Sequence, residues 1–436
     1  MLTLIRRDKE NLVCVKEAGS QDGVGRANLR EMKNIPAKYL GEPNFFSVRM
    51  LWNPSLFNAR RDALKWLDDR GLEDLHKSVI LHLLGRPPPE SDHPDNMFPN
   101  TVDVTKPKKM PGLPELNISQ LKAVKYALDH RVGLVQGPPG TGKTVTAAGI
   151  VYGMAMQEKA LETKRSPVLV CCVSNVVVDQ LTGYLETTGL KIVRPFSGSY
   201  LLEGKSHVAH LSLDECVIRR LEEEGEQNKD VSEQSPKERD LLERKVLQEA
   251  DVVCTTCVCA GLKGPSWRIK FSSVLVDKTT QAIEPDTVMA IRFCSQHLVL
   301  VGDHMQLGPV VQSLSCSKAG LDKSLFQRLV ELCVRPVRLE LQYRMHPALS
   351  AFPSVAFYDG RLQNGISAGK RAHIPLSLQT QTEHSTHLSY GHVVMSLSYS
   401  TISLEEKRSL PLAHHISIHR KLTYVQSSSQ HSAIQE

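Results

Sequence analysis

The stretch from residue 116 to residue 343 restricts the possible fold more than any other part of the chain, because short apolar runs alternate there with segments of helical pattern. Strands that are buried on both faces of a parallel sheet have such near-continuous runs of Val and Leu. Their alternation with helices is typical of α/β proteins. We therefore predict an α/β fold with a doubly wound parallel sheet. The predicted strands lie at residues 132–136, 168–173, 252–254, 273–276 and 298–301.

The segments around these strands differ from them in composition. Residues 1–55 are mixed and contain short strand-like runs bounded by Gly and Pro. Apolar residues at helical spacing predict one or two amphipathic helices between residues 55 and 84, and a segment rich in Pro and Lys follows them as a linker. Within the core, the charged span at residues 221–250 predicts an inserted helical arm that is exposed to solvent.

Residues 371–436 differ most from the rest of the chain. They hold 8 of the 17 histidines and contain no Asp, Phe, Trp or Cys. A segment with so few large apolar residues at regular spacing cannot bury a core of its own. We therefore predict a divergent, disordered tail, with metal binding by its irregularly spaced histidines as the alternative.

Composition and charge set only broad limits on function. Hydrophobic residues at 41% and charged residues at 23% are ordinary for soluble globular proteins, and the formal charge of +6 is compatible with a polyanionic partner. No window approaches the roughly 18 apolar residues that a membrane span needs. We predict a cytoplasmic protein, with the nucleus as the alternative, and no membrane partner. Its ten cysteines are then expected to be reduced thiols, although Cys254, Cys257 and Cys259 leave a zinc site open.

A phosphate-binding loop is predicted at residues 137–144, which read GPPGTGKT. The pattern follows a predicted strand and opens a predicted helix at residues 145–157, which is the context of a P-loop. Its glycines let backbone N–H groups face phosphate oxygens, and the helix N-terminus adds positive potential. Lys143 would neutralise the β- and γ-phosphates, and the Thr144 hydroxyl would bind Mg²⁺. The loop therefore predicts a site for a nucleoside triphosphate with Mg²⁺.

Six motifs occur in a fixed order along the chain and extend this prediction. They read LNISQ, VQGPPGTGKT, VLVCCVSNVVVDQL, ADVVCTTC, VGDHMQLGPVV and LQYRMHPALSAFPS. In these motifs the chain resembles the superfamily 1 RNA helicases of the up-frameshift type, which act in nonsense-mediated mRNA decay. The likeness runs from about residue 45 to about residue 367.

The resemblance implies a domain order that residue patterns alone do not give. Residues 1–55 would belong to a partial β-barrel, and residues 56–115 to stalk helices and a linker. Residues 116–343 would form a RecA-like ATP-binding domain with the inserted arm at about 200–250. Residues 344–370 would begin a second RecA-like domain, which we expect to be incomplete because the likeness fades before the tail.

The resemblance also assigns roles to single residues. Gln120 would contact adenine, and Thr144 and Asp277 would hold Mg²⁺. Gln306 would sense the γ-phosphate, and Tyr343 and Arg344 would line the nucleotide cleft. The phosphates would lie against Gly137, Gly140, Thr141, Gly142, Lys143 and Thr144. The RNA backbone would lie against Ser174, Asn175 and Thr256. A helix N-cap formed by Ser or Asn is the alternative interpretation of LNISQ, and plain helix capping is the alternative for the RNA contacts.

One residue departs from the family in a way that concerns catalysis. Lys278 follows Asp277 where the family has a Glu that deprotonates the attacking water. An ammonium has no lone pair to accept a proton. Two functions therefore stay open: an ATP-dependent RNA helicase with RNA-stimulated ATP hydrolysis, or a non-hydrolysing ATP- and RNA-binding modulator or non-functional truncated paralogue. The expected partners are single-stranded RNA and mRNA-surveillance proteins, with DNA as a weaker alternative.

Overall fold

In a computed structural model, the described residues are 54–69, 71–86, 110–161, 166–196, 200, 204, 206–223, 236–267 and 269–370. The predicted β-barrel, the linker at residues 87–109 and the tail at residues 371–436 lie outside them. The chain divides into two compact units, of which the first comprises Met1–Arg344 and Arg361–Gly365. The second comprises Met345–Gly360 and Ile366–Glu436, and it contains one described α-helix.

The first unit is built on a sheet of seven parallel strands in the order β3-β4-β2-β5-β6-β1-β7. This confirms the predicted fold class. Two edge strands were not predicted, because two residues are too few for a hydrophobic pattern. The strands are β1 (Val132–Gln136), β2 (Val168–Cys172), β3 (Ile192–Val193), β4 (Val252–Thr256), β5 (Phe271–Asp277), β6 (Cys294–Gly302) and β7 (Val337–Arg338). A short parallel pair, β8 (Leu341–Gln342) with β9 (Gln363–Asn364), forms a separate sheet.

Helices of the first unit cover both faces of the large sheet. The helices of the described residues are α1 (Ser55–Asp69), α2 (Gly71–Asp74), α3 (Lys77–Leu83), α4 (Ile118–Asp129), α5 (Lys143–Ala160), α6 (Asn175–Glu186), α7 (Leu213–Glu223), α8 (Pro236–Glu249), α9 (Cys257–Trp267), α10 (Glu284–Ile291), α11 (Leu314–Lys318), α12 (Leu325–Glu331) and α13 (Pro347–Phe357). Of these, α13 belongs to the second unit. No helix in the described part of the chain is long and apolar enough to cross a membrane.

Each central strand sends alternate side chains into two separate hydrophobic clusters. In β5, Val274 and Val276 lie in one cluster and Leu275 in the other. The second cluster contains the apolar faces of α4, α5 and α6, while the first contains those of α3, α7 and α12. Burying one such side chain stabilises the fold by about 1.5–3 kcal/mol. This two-sided burial explains why the strands are apolar throughout.

The described residues between 55 and 84 form three helices, α1, α2 and α3, where one or two were predicted. Helix α1 packs on α10 through Ala59 and Ala63, which contact a cluster with Val288 and Met289. A bidentate ion pair joins the same two helices, because Arg60 donates to both carboxylate oxygens of Asp286 at 2.6 and 2.9 Å. The N-terminal helices are therefore fixed to the first unit.

The predicted inserted arm is only partly exposed. Its helices α7 and α8 pack on each other, and each buries one face in the cluster that also holds β4 residue Val253. The residues buried there are Leu213, Val217, Leu221, Val246 and Leu247. The expectation of a solvated arm was wrong for these faces, because charged neighbours hid the helical spacing of the apolar residues. Residues 224–235, between the helices, lie outside the described residues.

Candidate nucleotide-binding site

The predicted P-loop joins β1 to α5, as its sequence requires. Gly140 and Gly142 have φ angles of +76° and +79°, in the left-handed region that favours glycine. A Cβ atom on Gly142 would lie 2.5 Å from Nε2 of Gln120, and one on Gly140 would lie 2.5 Å from Cβ of Arg344. The loop therefore needs glycine at both positions for conformation and for space.

Lys143 lies inside the loop with its ammonium on backbone oxygens. It donates to the carbonyl of Gly137 and, at 3.3 Å, to that of Pro138. Burial lowers the pKa of Lys143, although the carboxylates of Asp303 and Asp277 act in the opposite direction. These loop carbonyls are weak partners for an ammonium compared with an anion. A phosphate group that entered the loop would satisfy the ammonium better.

Gln120 connects the start of α4 to the P-loop. Its backbone and side chain form a capping box with Asn117, through hydrogen bonds of 3.0 and 2.9 Å. Its Nε2 also donates to the carbonyl of Thr141 at 3.1 Å. The N-cap of α4 is thus Asn117, and the Gln120 side chain is both part of the capping box and a support for the loop. The structure does not test its contact with adenine.

Tyr343 and Arg344 lie beside the same loop. The backbone N–H of Tyr343 donates to the carbonyl of Gly140 at 2.9 Å, and its hydroxyl accepts from Nδ2 of Asn117 at 3.1 Å. The side chains of both residues are exposed. Residues that are more than 200 positions apart therefore meet at one edge of the sheet.

Asp277 ends β5 at this edge and is completely buried. Strand register places it against Val301 of β6, while Gln136 of β1 is paired with Gly302. Oδ1 of Asp277 accepts from the Lys278 N–H at 2.7 Å, whereas Oδ2 accepts no hydrogen bond within the described residues. Burial raises the pKa of this carboxyl group, against the effects of Lys278 and Lys143.

The free carboxylate oxygen of Asp277 is a candidate ligand for the predicted Mg²⁺. Mg²⁺ prefers oxygen ligands and keeps several water molecules when it binds beside phosphates. A buried carboxylate oxygen without a partner fits such an ion, and the hydroxyl of Thr144 at the start of α5 is of the same ligand type. The residues present therefore suit Mg²⁺.

Lys278 adopts an unusual backbone conformation. Its φ and ψ angles are 53° and 34°, in the left-handed region, and its carbonyl accepts from the N–H of Gln281 at 3.0 Å. A 3-10 turn at Thr279–Gln281 follows at once. Left-handed conformations are uncommon for residues other than Gly, Asn and Asp. The side chain is half-buried and has no hydrogen bond or ion pair among the described residues.

A buried polar network lies behind Gln306. Asp303 accepts at Oδ1 from Nε2 of Gln136 at 3.1 Å, and at Oδ2 from Nε2 of Gln306 at 2.5 Å. Oε1 of Gln136 accepts in turn from Nε of Arg338 at 3.1 Å. We did not predict Gln136 or Arg338 from the sequence. The only indication of this network in the sequence was a polar residue at the end of an apolar strand.

Glu284 is engaged in an ion pair with Arg328. Arg328 binds both of its carboxylate oxygens, at 2.6–3.1 Å, and also donates to the carbonyl of Leu83 at 2.9 Å. Glu284 thus connects α10 to α12 and α3.

The three predicted RNA contacts lie at the ends of two neighbouring strands. Ser174 and Asn175 follow β2, and Thr256 ends β4, where it lies beside β2 residue Cys172 in the register. Ser174 is exposed and makes no side-chain cap bond. Thr256 is only 7% exposed, and its hydroxyl accepts from the N–H of Cys259 at 3.1 Å. Capping is thus the role that the structure gives Thr256, whereas Ser174 is accessible.

A buried arginine that we did not predict supports Asn175. Arg194 is completely buried and donates to Oδ1 of Asp179 at 3.1 Å and to Oδ1 of Asn175 at 2.9 Å. Its guanidinium also lies 4.2 Å from the centre of the Phe196 ring. Tyr200 donates to the second oxygen of Asp179 at 3.0 Å. A single sequence gives no signal for this network, because its members lie on separate elements.

The cysteines do not form a metal site in the described part of the chain. Cys254 lies in β4, while Cys257 and Cys259 lie in the first turn of α9, and all three are buried. Burial raises the pKa of the Cys254 thiol to about 11. Among the described residues, no three His, Cys, Asp or Glu side chains are grouped so that they could hold a metal ion.

A parallel sheet with a P-loop after β1, and with an acid at the end of β5 two strands away, defines a P-loop nucleotide-binding protein. Two family models, both described as AAA domain, match this chain. One covers residues 115–224 and 205–314, and the other covers residues 321–414.

The relatives are more specific than the family models. The regulator of nonsense transcripts 1 homologue of Neurospora crassa is 41% identical over 82% of this chain and 32% of its own length. The ATP-dependent helicase upf1 of Schizosaccharomyces pombe is 41% identical over 75% of this chain and 36% of its own. The ATP-dependent helicase NAM7 of Saccharomyces cerevisiae is 37% identical over 79% and 34%. The chain belongs to the family of regulator of nonsense transcripts 1, and it spans about a third of the length of these relatives.

Proposed function

We propose that this chain binds ATP with Mg²⁺ and single-stranded RNA at the sites used by RNA helicases of mRNA surveillance, and that it hydrolyses ATP poorly. The observation that carries the proposal is Lys278 beside Asp277. The metal-binding carboxylate is kept with a free oxygen, while the neighbouring position has an ammonium in place of a base. The same site is therefore expected to bind ATP without hydrolysing it efficiently.

For ATP binding, the proposal assigns a task to each part of the cleft. The P-loop N–H groups and Lys143 would bind the β- and γ-phosphates. Asp277 and Thr144 would hold Mg²⁺. The bound ion would neutralise the negative charge that develops on the phosphates. Gln306, fixed by Asp303, would orient a water molecule or the γ-phosphate. Tyr343 and Arg344 would border the nucleotide, since both lie against Gly140.

The weak step is removal of a proton from the attacking water. Loss of a positioned general base costs about 10²–10⁴-fold in rate. The other two acids near β5 do not compensate, because Asp303 is bound by Gln136 and Gln306, and Glu284 is bound by Arg328. An active, RNA-stimulated ATPase is the second candidate function. It is favoured by the presence of Lys143, Asp277, Gln306 and Arg344 at one sheet edge.

The first test separates these two functions. ATP binding is measured by calorimetry with Mg²⁺, and phosphate release is measured with and without single-stranded RNA, for the purified chain and for Lys143→Ala. We expect measurable binding that Lys143→Ala abolishes, and phosphate release no faster than that of the variant. RNA-stimulated release well above the variant would establish the hydrolysing function. A lack of ATP binding would overturn both.

The second test concerns the nucleic acid. Ser174→Asp places a negative charge at the accessible end of β2, so it should weaken binding of a fluorescent single-stranded RNA, with an effect that shrinks at high salt. Ser315→Asp on the exposed surface of α11 is the matched control. Equal affinities of both variants and the unmodified chain would contradict the proposed RNA edge. DNA of the same sequence, measured in parallel, tests the preference for RNA.

A further inference from the structure

One carboxylate oxygen and one ammonium at the end of β5 make no hydrogen bond in the described part of the chain. Oδ2 of Asp277 is buried and accepts no hydrogen bond. The ammonium of Lys278, on the next residue, is half-buried and makes no hydrogen bond or ion pair. A half-buried cation without a partner is available to an anion that enters the cleft.

The positive charge of Lys278 acts on Lys143 of the P-loop. The charged groups that act on Lys143 are the carboxylates of Asp303 and Asp277 and the cations Lys278 and Arg344. This set contains two negative and two positive groups. A glutamate at position 278 would change it to three negative groups and one positive group. A triphosphate would then need a metal ion to offset the repulsion, whereas with Lys278 the offset is already part of the chain.

We propose that the ammonium of Lys278 serves as a built-in cation for the nucleotide phosphates, so that ATP binds to this chain almost as well without Mg²⁺ as with it. This inference rests on the proposed function, since it concerns the same nucleotide site. Lysine suits the task because its ammonium is a compact point charge with three donors on a flexible stem. Lys278 follows Asp277, which would hold the metal, so its side chain starts at the same edge of the sheet.

The backbone of Lys278 is held in place by two hydrogen bonds. Its backbone N–H is turned toward Oδ1 of Asp277, and its carbonyl caps the turn at Thr279–Gln281. Both backbone groups are therefore fixed at the carboxyl edge of the sheet, where parallel strands place their ligands.

The test measures ATP affinity by calorimetry in Mg²⁺ and in EDTA, so it does not depend on hydrolysis. For the unmodified chain, we expect removal of Mg²⁺ to change Kd by no more than about threefold. For Lys278→Glu, the same change should weaken binding by about tenfold or more, and Mg²⁺ should restore it. Lys237→Glu, the same charge reversal on the exposed surface of α8, should behave like the unmodified chain.

The outcomes distinguish this inference from the proposed function. If the unmodified chain binds ATP in Mg²⁺ but loses it in EDTA as strongly as Lys278→Glu does, the built-in cation is refuted and the ATP site stands. If it binds ATP in neither solution, the proposed function fails as well. Should Lys278→Glu fail to fold, as judged by circular dichroism, Lys278→Met serves as the second variant. It is expected to show an intermediate dependence on Mg²⁺.

Discussion

Gln120 donates a hydrogen bond from Nε2 to the carbonyl of Thr141 at 3.1 Å, and this contact ties the first turn of α4 to the P-loop. The same side chain accepts from the backbone N–H of Asn117, so both ends of its amide are engaged. The conformation of the phosphate loop therefore depends on a helix cap as well as on its own glycines.

Replacing Gln120 by Ala should destabilise the chain even when no nucleotide is present. The variant loses half of a capping box and one buried side-chain hydrogen bond, which together cost about 1–2 kcal/mol. Chemical denaturation of the protein measures the loss. Lys122→Ala, on the exposed face of the same helix, should change the free energy of unfolding far less. Equal stability of the Gln120→Ala variant and the unmodified chain would contradict this role of the cap.

Asp277→Asn should make the protein more stable at neutral pH in the absence of Mg²⁺ and nucleotide. Burial raises the pKa of Asp277, so the folded chain retains this proton at pH values where the unfolded chain has lost it. Stability therefore falls as the pH rises above the unfolded pKa of 3.8, and the neutral amide avoids this loss. Thermal melting at pH 7 and pH 4 measures the difference, which should vanish at the lower pH. A lower melting temperature of the variant at pH 7 would refute the prediction.

His297 should make the fold sensitive to mild acid. It is buried with Nε2 2.6 Å from the carbonyl of Ala127, and burial lowers its pKa to about 4 from 6.5. The unfolded chain therefore binds the proton first as the pH falls. The contribution of this group to the free energy of unfolding is therefore fully present above pH 6.5. It falls by about 3 kcal/mol as the pH decreases to 4. The free energy of unfolding of His297→Gln should fall less steeply across that range, and parallel pH profiles would contradict the assignment.

The buried ion pair of Arg194 and Asp179 should tolerate joint replacement better than the loss of one partner. Arg194→Met leaves the Asp179 carboxylate buried without its cation, at a cost of about 3–5 kcal/mol. The double variant with Asp179→Leu removes both charges and should recover most of this loss. Denaturation of the two single variants and the double variant gives the coupling energy. Additive losses would show that the two charges do not depend on each other.

Local patterns predicted the parts of this molecule that are encoded in short segments. The five central strands were predicted because each is apolar throughout, and the P-loop because its glycines and lysine stand at fixed spacing between a strand and a helix. Strands β3 and β7 are too short to carry a pattern. The network of Arg194, Asp179 and Asn175 depends on which strands are neighbours, and a list of residues does not contain that information.

The same distinction applies to the residues of the site. Asp277 and Lys278 could be singled out by motif, but the free oxygen of Asp277 and the left-handed backbone of Lys278 follow from the packing around β5. The engagement of Glu284 by Arg328 likewise needs the approach of α10 to α12. The sequence predicts that a catalytic acid is replaced by Lys278, whereas the ion pair of Glu284 is visible only in the tertiary structure.

The fate of ATP bound to the chain tests the central claim most directly. The purified protein is loaded with ATP in Mg²⁺, incubated with single-stranded RNA, and quenched at intervals, and the bound nucleotide is separated by chromatography. We predict that the unmodified chain returns ATP intact, with ADP forming no faster than in protein-free buffer. Rapid conversion of the bound ATP to ADP would contradict the account, because it would show that Lys278 does not prevent activation of water.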